Sequence, residues 1–107
     1  MGGKMANMNK MLKQMQKLQE EMARVQEELA GREITHSSGG GVVTATVNGK
    51  QELIDIKIAP ESVDTKDIEM LEDMIIAAVN GAISESLKMA QEEMAKVAGL
   101  GGIPGMM

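Results

Sequence analysis

Lys10, Lys13, Lys17 and Arg24 are spaced for contact with a polyanion. Steps of three, four and seven bring them onto one stripe of a helix, where they can neutralise successive phosphates. Residues 1–19 also contain Lys4 and hold no acid, although the chain carries a formal net charge of −5. Basic charge is therefore concentrated at one end, and its distribution bears on partners more than the sum does. The same stripe suits the solvated side of an ordinary amphipathic helix. The residues alone leave both readings open.

Other reactive side chains are isolated. His36 is the single histidine, and no converging ligands or orienting partner accompany it in the sequence. It reads as a surface histidine at a strand end, because metal sites need several ligands and a catalytic base needs a partner. The acids Asp55, Asp67, Glu69, Glu72 and Asp73 read as a helix start and a solvated face rather than an acid–base pair. "SSGGG", Ser37 to Gly41, lacks the following helix and the lysine of a phosphate loop, and reads as a turn between strands. With no cysteine, disulfides and thiol chemistry are excluded. The expectation is a protein that is not an enzyme, with no cofactor, no metal and no small-molecule substrate.

These residues must be held by elements, and hydrophobic periodicity marks them. Met8, Met11, Met15, Leu18, Met22, Val25 and Leu29 alternate steps of three and four. That is a heptad seam on a helix with Asn7 as its cap and Gly31 at its end, about 34 Å long. In this frame Lys10, Lys17 and Arg24 occupy position c and Lys13 position f, away from the methionines. A methionine seam suits packing, because the thioether side chain fills irregular gaps.

From Arg32 the period changes to two. "REITHSS", "GVVTATV" and "ELIDIKI" read as three strands, with "NG" (Asn48-Gly49) as a two-residue hairpin turn between the last two. That turn predicts Val43 opposite Ile54 and Ala45 opposite Glu52. Pro60 closes the third strand. Asp64 or Thr65 is expected to cap a second helix running through "DIEMLEDMIIAAVNGAISESLKMAQEEMAKVA". Gly81 is its weak point, costing about 1 kcal/mol relative to Ala.

The chain has 107 residues and no Phe, Tyr, Trp or Cys, which bounds it to one domain with a modest core. Residues 1–7 and 99–107 are expected to be flexible. No apolar run reaches membrane-spanning length, and "MGGKMANMN" has no signal core, so a cytoplasmic protein with no membrane partner is expected. The fold class is α+β, in the order α-β-β-β-α, with a small antiparallel sheet and two long projecting helices. Two sheet edges and helices too long for the sheet point to a homodimer. Its interface is expected at Val43, Ala45, Ile54, Ile56, Leu71 and Ile75.

Three stretches together, "MNKMLKQMQKLQEEMARVQEEL", "SSGGGVVTATVNGKQELIDIKIAPE" and "DIEMLEDMIIAAVNGAISES", resemble the YbaB/EbfC family of bacterial nucleoid-associated DNA-binding proteins. The resemblance covers nearly the whole chain. It implies a tweezer-like homodimer that binds double-stranded DNA through its helices, in the nucleoid, with roles in nucleoid organisation and gene regulation. The basic positions it implies are Lys10, Lys13, Lys17 and Arg24 on the first helix, and Lys88 and Lys96 on the second. Gly81 departs from the family pattern, in which a polar residue is common. A different class, a prefoldin-like holdase that binds apolar clients along its methionines, shares the helix–hairpin–helix layout. Equal helix lengths and helix pairing would mark it.

Overall fold

The computed structural model describes residues 2–100, with side chains over residues 7–99. The chain is α+β: α1 (Gly2–Gly31), β1 (Glu33–Ser38), β2 (Val43–Asn48), β3 (Leu53–Ile58), a 3-10 turn (Pro60–Ser62) and α2 (Ile68–Leu100). Of the expected tail, residues 99–107, Gly99 and Leu100 belong to α2 and residues 101–107 lie outside the described residues.

The first helix begins at Gly2 rather than at the expected Asn7 cap. Lys4, Met5 and Ala6 are good helix formers, so nothing local stops the helix before it reaches them. At 30 residues it is about 45 Å long.

The sheet is antiparallel in the order β1-β2-β3. Between β1 and β2 the chain turns through Gly39, Gly40 and Gly41, all with positive φ. The register of β2 with β3 differs from the two-residue hairpin: Val43 faces Ile58 and Ala45 faces Ile56. The cause is the end of α1. Gly49 N–H donates to Leu29 O at 2.8 Å and to Arg32 O at 3.0 Å, giving donors to carbonyls the helix leaves open. The turn widens accordingly, with Asn48 Oδ1 accepting from Lys50 N at 2.9 Å and Glu52 N at 3.0 Å. Gln51 takes the left-handed conformation (φ 62°). The shift is an even number of residues, so the apolar face is preserved. A bulge between Thr46 and Val47 leaves Ile54 unpaired, and it is 51% exposed.

The second helix is capped by Asp67, whose Oδ1 accepts from Met70 N at 3.0 Å. Asp64 and Thr65 are not its cap. Asp64 Oδ1 takes Lys66 N at 2.9 Å and belongs to the preceding turn.

α2 covers one face of the sheet. Val43, Ala45 and Val47 pack against Ala78 and Ala82, and all five have no accessible surface. The two alanines let the helix approach closely. A second cluster, Val25, Leu29 and Val97, joins the later half of α1 to the end of α2, with Leu18, Met89, Ala90 and Met94 around it. Leu29 and Ser86 both meet the Asn48–Gly49 loop, through Gly49 N–H to Leu29 O and Ser86 Oγ–H to Asn48 O. From there α1 runs backward and α2 forward, side by side, away from the sheet.

The molecule is long: its extents are 80 × 24 × 16 Å and its radius of gyration is 21.3 Å. A compact chain of this size would have a radius of about 13 Å. Among the described residues no helix is long and apolar enough to cross a membrane.

Candidate nucleic-acid interface

The α1–α2 packing starts at Leu18, so residues 2–17 of α1 extend beyond it, an overhang of about 24 Å. Within this overhang the methionine seam is open. Met8 is 64%, Met11 62% and Met15 58% exposed.

The opposite side of the overhang carries the basic stripe. Lys10, Lys13 and Lys17 are exposed and line one shallow depression with Gln14, Gln16 and Glu20. None of the three lysines has an ion-pair partner among the described residues. Three ammonium groups on adjacent turns, beside the amides of Gln14 and Gln16 and the carboxylate of Glu20, can pair with the charges of a polyanion. Gln14 and Gln16 were missed as companions in the sequence. Their spacing of four and three residues from Lys10 and Lys13 is the signal that places them there.

The other expected basic positions are arranged differently. Arg24 donates to Glu28 at 2.6 Å and to Glu21 at 2.7 Å. Its pKa is raised above the ordinary arginine value, first by the hydrogen bond to Glu21 and then by the charges of Glu21 and Glu28. Two carboxylates against one guanidinium leave this trio net negative, so Arg24 offers phosphate little free charge. Lys96 donates to Glu93 at 3.1 Å, and Arg32 lies 3.4 Å from the same carboxylate. Glu93 is held below the ordinary carboxylate range, chiefly by that hydrogen bond from Lys96. Lys88 is exposed with no ion-pair partner among the described residues, but it lies on α2, away from the overhang. The structure thus brings Lys10, Lys13 and Lys17 together and leaves Arg24, Lys88 and Lys96 apart from them.

The residues expected at a homodimer interface also divide. Val43 and Ala45 lie wholly within the protomer core under α2, with no surface for a partner to touch. Ile56, Leu71 and Ile75 are partly buried against that core. Ile54 is exposed, as are Leu53 and Ile58 on the same edge strand and Ile68 and Ile76 on α2. The outer face of the sheet is polar, with Ser37 Oγ 2.8 Å from Thr44 Oγ1.

His36 is not a lone strand-end residue. Its Nδ1 lies 2.8 Å from Glu85 Oε1, and its ring rests on Gly81 of α2. Among the described residues no three His, Asp or Glu side chains cluster in a way that could hold a metal ion.

The profile of the YbaB/EbfC DNA-binding family matches residues 4–101. Among the curated relatives, a nucleoid-associated protein of Moorella thermoacetica is 56% identical over 101 residues, covering 94% of this chain and 97% of its own length. A nucleoid-associated protein of Desulforamulus reducens is 52% identical over 106 residues, covering 99% and 98%. A crystal structure of an uncharacterized protein from Helicobacter pylori is similar with a TM-score of 0.62 at 23% identity. It covers 77% of this chain and 94% of its own, and at that identity shows a common fold.

Proposed function

The chain belongs to the YbaB/EbfC DNA-binding family, and from that premise we propose a nucleoid-associated homodimer that grips double-stranded DNA through the overhang of α1. The observation carrying this is the trio Lys10, Lys13 and Lys17. They are exposed, without an ion-pair partner among the described residues, and set on an arm that projects past the body of the protomer. Binding of this kind fixes position along the duplex and carries no base identity. The role that follows is nucleoid organisation in the cytoplasm, with gene regulation as its consequence and no chemical step at the site. Lys88 contributes weakly. Arg24 and Lys96 contribute less still, because their charge is already engaged.

The dimer reading rests on apolar side chains left open in the protomer. Leu53, Ile54 and Ile58 line an edge strand whose outer hydrogen-bonding groups have no strand partner among the described residues, and Ile68 and Ile76 are open on α2. An apolar edge of this kind is ordinarily paired or covered.

The holdase alternative is not favoured. The two helices are of similar length, 30 and 33 residues, and do run side by side, so that criterion does not separate the readings. The family match does.

The test is a gel shift with the triple variant Lys10→Glu, Lys13→Glu, Lys17→Glu, with native mass as the control. DNA binding is expected to fall away while the mass stays that of the unaltered protein. Unchanged affinity in a folded variant would overturn the assignment of these lysines.

A further inference from the structure

One residue in the lysine depression has the wrong sign for phosphate. Among the described residues that line it, Glu20 alone is acidic. It is exposed, and no ion pair engages it among the described residues. Arg24, one turn further on, has its guanidinium on Glu21 and Glu28 instead. Glu20 follows Lys17 by three residues and occupies the same heptad position as Lys13, one repeat later. Residues three apart are neighbours on a helix surface, with Cβ atoms about 5–6 Å from each other. That is inside the screening length of about 8 Å at physiological salt, so this carboxylate repels a phosphate drawn to Lys17. The acids continue inward with Glu21, Glu27 and Glu28. The change of sign also falls where the α1–α2 packing begins, at Leu18.

We propose that Glu20 is the stop at the inner end of the phosphate track. It confines the duplex to the outer turns of the overhang, keeps it off the paired helices and limits the strength of the grip. The inference rests on the proposed phosphate contact by Lys10, Lys13 and Lys17, and adds a residue that sets where that contact ends. The rival explanation is overall charge: removing any acid from a chain of net charge −5 favours a polyanion. Glu27 separates the two. It is exposed, lies on the same heptad position one repeat further in, and is not in the depression. It sits about 10.5 Å along the axis from Glu20, beyond the screening length.

The experiment titrates a fluorescent duplex by anisotropy with Glu20→Gln, Glu27→Gln and Glu20→Lys, across a range of salt. The triple variant Lys10→Glu, Lys13→Glu, Lys17→Glu is measured beside them. Glutamate and glutamine have similar helix propensity, so α1 is retained, and circular dichroism and native mass check it. Glu20→Gln is expected to bind several-fold more tightly than the unaltered protein, and Glu27→Gln to stay within about twofold of it. Glu20→Lys extends the track by one ammonium, and its slope of log K against log salt should steepen by about 0.9. Equal gains in the two glutamine variants would overturn the proposal, because net charge alone would then explain them. No gain in Glu20→Gln, or an unchanged slope in Glu20→Lys, would do the same. If the triple variant loses binding while Glu20→Gln gains nothing, the stop fails and the phosphate reading stands. If the triple variant binds as before, both fall.

Discussion

The ring of His36 on β1 lies directly on Gly81 of α2. A Cβ at Gly81 would collide with His36 Cδ2 and come within 2.5 Å of Nε2, while His36 Nδ1 reaches Glu85 one helical turn on, at 2.8 Å. The glycine that looks like a defect in the helix is thus the floor on which the strand's histidine rests. The helix passes through it unbroken from Ile68 to Leu100.

A helix-interior Gly→Ala change ordinarily stabilises by about 1 kcal/mol. Gly81→Ala is expected to show none of that gain, because the methyl displaces His36 and breaks its hydrogen bond with Glu85. In a His36→Ala background the same change should recover the gain. Urea unfolding of the four proteins in this cycle measures the coupling. Additive effects would mean that the ring does not rest on the glycine.

Gly49 is less forgiving. A Cβ there would collide with Leu29 O and lie 2.9 Å from Leu29 Cα, both backbone atoms of α1. No side chain can swing aside, and the N–H that joins the hairpin to the helix end would be pushed off its acceptors. Gly49→Ala is expected to cost about 3 kcal/mol, at the upper end for a forced overpacking. The midpoint of chemical unfolding checks it.

Ser86 is fully buried and joins α2 to the loop. Its hydroxyl donates to Asn48 O and accepts from Gln51 Nε2 at 3.1 Å. Ser86→Ala removes one of the two donors to Asn48 O, which keeps Gln51 N–H at 3.1 Å, so the cost is that of one hydrogen bond, about 1 kcal/mol. Hydrogen exchange should rise first at the amides of Lys50 and Glu52, which Asn48 Oδ1 holds.

The sequence pattern carried the element order well. The change from steps of three and four to alternation at Arg32 separates α1 from the strands, and Val43, Ala45 and Val47 announce the buried face. What it could not carry was set over distance. The hairpin register depends on Leu29 and Arg32, which lie far back in the chain and claim the Gly49 N–H. Asp64 and Asp67 are equally good caps in sequence, and only the preceding turn decides between them. An alternating apolar strand also does not say whether its own helix or a second protomer covers it, so Val43 and Ala45 read as interface and lie in the core. At the basic stripe, spacing placed Lys10, Lys13, Lys17 and Arg24 together. Glu21 and Glu28, three and four residues either side of Arg24, were the visible sign that its charge is engaged.

That difference separates two single substitutions. Lys17→Gln removes a free charge from the overhang and should weaken DNA binding. Arg24→Gln removes a charge already shared by two carboxylates and should change affinity little. Anisotropy titration with one duplex compares them. A larger loss for Arg24→Gln would show that it leaves its carboxylates on binding.

The most direct test of the phosphate assignment is the salt dependence of DNA binding. For the unaltered protein, log K should fall linearly with log salt. In the variant Lys10→Gln, Lys13→Gln, Lys17→Gln the slope should flatten by about 0.9 for each phosphate that is no longer neutralised. A slope and affinity equal to those of the unaltered protein would contradict the account, because the free lysines of α1 would then not be the groups that meet the backbone.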